Sequence, residues 1–145
     1  MRITFDEIES LAQSPLSFPA LCERYPDDKP LRFYQERDGL SEVSPRALRR
    51  RVAALGAELA GVCEPGQRAV LLLPRVEDYV IGLLACFHAN VVAVPTVVDA
   101  ANRSAASAEM IASVAADSEA VCLLADPGTA RWIEDKDAAA GRRLL

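Results

Sequence analysis

The stretch GQRAVLLLPRVEDYVIGLLACFHANVVAVPTVVD, residues 66–99, decides the fold. Ala69-Val70-Leu71-Leu72-Leu73 shows no polar alternation, so it reads as a strand covered on both faces and ended by Pro74. Val76 to Ala89 follows as a largely apolar helix, with Val76, Tyr79, Val80, Leu83, Leu84 and Phe87 around much of its circumference. Val91-Val92-Ala93-Val94 returns as a second continuous apolar strand, closed by Pro95. Two fully apolar strands joined by a helix are the signature of a parallel sheet, and such crossovers are almost always right-handed.

Downstream, the small polar residues from Ala100 to Ser107 read as a loop. Ala108 to Asp117 then forms a helix with Met110, Ile111 and Val114 on one side. Val121 to Ala125 is a third buried strand, and Asp126-Pro127-Gly128 turns out of it. Thr129 to Ala140 reads as a last helix anchored by Trp132 and Ile133. The tail from Ala138 to Arg143 carries no clear stop signal, as the end of a truncated chain would look.

Upstream, Phe5, Ile8 and Leu11 recur at helical spacing, and Ser17 caps a short helix carrying Phe18, Leu21, Cys22 and Tyr25. Leu31 to Tyr34 and Leu40 to Val43 form a strand pair reversed at Arg37-Asp38-Gly39. The best specified helix comes next. Ser44 caps it and Pro45 occupies the first position, where a missing N–H costs nothing. Leu48, Val52, Leu55 and Leu59 make one stripe, Arg46 and Arg50 point away, and Gly61 with Pro65-Gly66 marks the end. The expectation is an α/β fold: a mostly parallel sheet with helices on both faces, preceded by a small β-hairpin, in one domain over residues 1–145.

Composition narrows the function. A 145-residue chain that is 51% hydrophobic and 26% charged is globular. Its net charge of −5 argues against a sequence-independent grip on nucleic acid. Arg49-Arg50-Arg51, the only basic cluster, reads as a solvated helix face. No apolar run spans a bilayer, and Asp6, Glu7 and Glu9 stand where a signal peptide has its apolar core, so a cytoplasmic location is expected. Cys22, Cys63, Cys86 and Cys122 are scattered without a Cys-x-x-Cys pair and read as free thiols rather than a disulfide or zinc set.

Residues with chemical potential are few. Gly56, Gly61 and Gly66 are too widely spaced to cradle a phosphate, and neither Lys29 nor Lys136 sits where it would neutralise one. His88 could act as a general base, but its place near a helix end favours a role against the helix dipole. Glu77 and Asp78 lie in the first turn of the same helix, where negative charge is welcome without an active site. Asp99 and Asp126 follow the ends of parallel strands, where open α/β sheets bind ligands, although a loop-capping role suits both. The reading assigns no catalytic, cofactor-binding or metal-ligating residue.

Several segments together resemble the adenylate-forming superfamily, and within it the fatty acyl-AMP ligases. These are FPALCERYPDDKPLRFYQERDG, SPRALRRRVAALGAELA, residues 66–99 and EMIASVAADSEAVCLLAD, covering about Phe18 to Ile133. LLACFHANVVAVPTVVD is the most specific part, and the long stretch from Pro95 to Asp117, with Asn102-Arg103-Ser104, is closer to acyl-AMP than to acyl-CoA ligases. Asn90 stands where the family has glycine and preserves a left-handed cap; Thr96-Val97-Val98 replaces a Tyr/Pro-rich stretch.

The resemblance implies the N-terminal subdomain of a ligase that joins a carboxylate to ATP, with Mg²⁺, and loads the acyl group onto an acyl carrier protein. It also implies that the phosphate loop, the nucleotide-binding segments and the lid lysine lie beyond Leu145, so that this portion alone is inactive and its partner is the remainder of the ligase. A second reading is a freestanding interaction module that kept half the fold and self-associates through its apolar faces. A third, an unrelated receiver or flavodoxin-type domain, lacks the acidic cluster or the Ser/Thr-rich loop it requires, because Leu73 runs straight into Pro74-Arg75.

Overall fold

A computed structural model describes residues 26–35, 39–96 and 103–140. Strands β1 (Leu31–Gln35) and β2 (Gly39–Val43) form an antiparallel hairpin. Helix α1 (Pro45–Val62) follows, then β3 (Arg68–Leu72), α2 (Val76–His88) and β4 (Val92–Pro95). Helix α3 (Ala105–Asp117), β5 (Cys122–Ala125) and α4 (Pro127–Ala140) complete the order. The expected helices before Pro26 and the Arg37-Asp38 part of the hairpin turn lie outside the described residues.

β3 pairs in parallel with β4 on one side and with β5 on the other, giving the order β4-β3-β5. Its Ala69, Val70, Leu71 and Leu72 are fully buried, as the uninterrupted apolar run predicts. Alternation divides those four between two cores. Val70 and Leu72 face α3 and α4, meeting Ile111, Trp132 and Ile133. Ala69 and Leu71 face α1 and α2, meeting Leu59, Cys63, Ala85 and Cys86. Helices cover both faces of a parallel sheet, as expected.

The outer strands differ from their prediction. β4 and β5 are as apolar as β3, yet Val92 is 47% exposed and every residue of β5 is only half-buried. Their composition reads as fully covered strands, but each has a neighbour on one side only among the described residues. Pro95 belongs to β4 rather than closing it, which an outer strand tolerates.

Caps explain the helix boundaries. Ser44 accepts the Ala47 N–H at 3.2 Å at the start of α1, with Pro45 behind it, as predicted. Ser104 does the same for the Ser107 N–H, so α3 begins at Ala105, three residues before the expected start at Ala108. Asp126 accepts from the N–H groups of Gly128 (2.9 Å) and Thr129 (3.1 Å), so Pro127 and Gly128 open α4 rather than forming a separate turn.

α2 and α3 both end in a Schellman motif. The Val91 N–H reaches Cys86 O (2.9 Å) with Asn90 at φ 57°, and the Ala120 N–H reaches Ala115 O (3.0 Å) with Glu119 at φ 51°. Asn90 thus performs the left-handed cap expected of it. The hairpin lies on the outer side of the α1–α2 pair, where Phe33 and Val43 pack with Leu48, Val52 and Ile81. α1 and α2 approach closely at Gly56, where an added Cβ would stand 2.7 Å from His88 Cδ2.

Candidate functional site

The strand order reverses at β3. The chain leaves it over one face to reach β4, then returns over the other face to reach β5. Ligands of open α/β sheets sit outside the carboxyl ends of the strands at such a point. A groove of about 550 Å³ lies there, with Leu73 beyond β3 and Leu124, Ala125 and Asp126 at the end of β5. α1 supplies Arg51, Ala54, Leu55 and Glu58 to one wall, and α2 supplies Asp78 and Ile81. The floor is apolar and the rim is charged.

The rim charges are already engaged. Arg51 donates to Glu77 and to Asp78 (3.3 Å), while the Ser41 hydroxyl donates to the other Glu77 oxygen at 2.7 Å. The Arg51 hydrogen bond, foremost, and that of Ser41 hold the Glu77 carboxyl below the usual carboxylate value. Arg75 Nε lies 3.8 Å from Asp78. Gln35 of β1 binds the start of α2 twice, accepting from the Val76 N–H (3.3 Å) and donating to Pro74 O (3.4 Å). Glu77 and Asp78 are therefore more than dipole partners, and Arg51 is a bridge rather than part of a solvated face; Arg49 is likewise paired with Asp27.

Asp126 is spent on structure. Burial opposes its ionisation, but the hydroxyl and N–H of Thr129, the Gly128 N–H and the Arg103 charge together hold its carboxyl below the usual value. Thr129 is fully buried and donates to Asp126 Oδ2 at 2.6 Å, while Arg103 donates to Gly128 O at 3.1 Å. The capping role foreseen for Asp126 is the observed one. Asp99 lies outside the described residues. Arg103 Nε and Thr96 Oγ1, near the same strand ends, are buried without a partner among the described residues.

His88 ends α2 and packs on Gly56, far from the groove's acidic rim along the helix. Cys63, Cys86 and Cys122 meet in the core below α1 and α2 as free thiols. Burial, foremost, pushes Cys86 and Cys122 up to about 11, with Cys63 beside both, so at neutral pH they are protonated and unreactive. The described residues contain no cluster of His, Cys, Asp or Glu placed to hold a metal ion.

An adenine nucleotide with Mg²⁺ fits this groove poorly. Its one guanidinium is held by two carboxylates, the α4 N–H groups are capped by Asp126, and Glu58, Asp78 and Asp126 would repel a triphosphate. What the groove offers is an apolar floor beside the half-buried strand β5. Sequence reasoning missed Gln35, Arg51 and Arg103 because their partners lie 41, 26 and 25 residues away.

A three-strand parallel sheet of order 2-1-3, wrapped by helices and braced by a hairpin, defines an open doubly wound α/β unit. The chain belongs to the AMP-binding enzyme family, whose pattern it matches over residues 18–143. No curated protein matches it significantly.

Among solved structures it is similar to fatty acyl-adenylate ligase from L. pneumophila, in complex with acyl adenylate and pyrophosphate. The TM-score is 0.69 at 19% identity, over 86% of this chain and 22% of that one. It is also similar to Brucella canis acyl-CoA synthetase, with TM-score 0.68 and 17% identity over 92% and 26%. A third is McyG A-PCP complexed with phenylalanyl-adenylate, with TM-score 0.68 and 16% identity over 86% and 20%. The chain thus spans about a quarter or less of the length of these relatives. Likeness at such identity speaks for the fold, which is that of the N-terminal subdomain of adenylate-forming ligases. Among the described residues, no helix is long and apolar enough to cross a membrane.

Proposed function

We propose that this chain is the opening portion of a fatty acyl-AMP ligase, and that it acts as scaffold rather than as catalyst. In this reading the complete enzyme joins a fatty acid to ATP with Mg²⁺, releases pyrophosphate and passes the acyl group to an acyl carrier protein. The observation that carries the scaffold role is the state of the switch-point groove. Arg51, Asp78 and Asp126 at its rim are each tied to another side chain or to a helix cap, so the one guanidinium there is not free to meet a reacting phosphate. The family match and the wording of residues 83–99 support the ligase parentage.

The test is carboxylate-dependent ATP–pyrophosphate exchange with the 145-residue chain and with the complete polypeptide that carries it. We expect exchange with fatty acids from the complete polypeptide and none from the 145-residue chain. Exchange by the short chain would overturn the scaffold role. Thioester formation with CoA but not with a phosphopantetheinyl carrier protein would overturn the acyl-AMP assignment.

A further inference from the structure

We draw no further inference here: the strongest candidate, the apolar groove with the charged rim at the carboxyl ends of β3 and β5, carries nothing, because nothing among the described residues shows what covers it.

Discussion

Among the described residues, two sit in left-handed backbone without being glycine, and they are not equal. Asn90 (φ 57°) tolerates this region because its short amide side chain stabilises it locally, whereas Glu119 (φ 51°) gains nothing comparable. The Glu119 carboxylate lies 3.6 Å from Arg68 on an exposed surface, where an ion pair contributes little. Glu119→Gly is therefore expected to stabilise the fold by about 1 kcal/mol, through relief of backbone strain. Asn90→Gly should change it by only a few tenths of a kcal/mol, ~0.3. Thermal melts of the two variants check the contrast; equal effects would mean that strain at position 119 is absorbed elsewhere.

The α1–α2 contact carries much of one core, and Gly56 is its narrowest point. An added Cβ there would lie 2.7 Å from His88 Cδ2 and 3.3 Å from His88 Cβ, so a methyl group requires the imidazole to move. In an open helix, Gly→Ala gains about 1 kcal/mol from propensity alone. Here the overpacking cost, about 1–3 kcal/mol, opposes that gain. Gly56→Ala is expected to destabilise the parent chain yet to be neutral or stabilising beside His88→Ala. A double-mutant cycle in urea checks it, with a coupling of about 1 kcal/mol or more expected. His88, for which the sequence favoured a structural role at the helix end, is also a packing residue whose neighbour had to be glycine.

The hairpin, α1 and α2 are bound into one body by the Ser41–Glu77–Arg51 network, and Glu77 is its shared acceptor. Glu77 is held below its ordinary value of 4.5, and Asp126 below its ordinary 3.8. Groups with depressed values bind protons more weakly in the folded chain than in the unfolded one. Their contribution is complete above the unfolded carboxylate values and is lost as pH falls through the folded ones. Stability should therefore be level near neutrality and decline below about pH 4.5. Glu77→Gln should lower the plateau by about 1 kcal/mol and flatten part of the acid decline. Chemical denaturation from pH 7 to pH 3 measures both; an acid slope unchanged by the substitution would remove Glu77 from the account.

Local signals were enough to read the αβ order, the three parallel strands and the Ser44–Pro45 helix start from sequence alone. Hydrophobic period and capping chemistry act within a few residues, so Val70–Leu72 declared a two-sided strand without any knowledge of its neighbours. The same locality caused the misreadings. Composition cannot tell a central strand from an outer one, so β5 looked as covered as β3, and Arg49 and Arg51 looked as solvated as Arg50 because Asp27, Glu77 and Asp78 are distant in sequence. Only the tertiary structure brought Gln35 to the start of α2, Arg51 to the groove and α4 to the α3 face, since those placements depend on chain reversals that no short window contains. Kinship with adenylate-forming enzymes was legible in the residues themselves; that β5 has a paired neighbour on one side only among the described residues became visible only once the strands were set side by side.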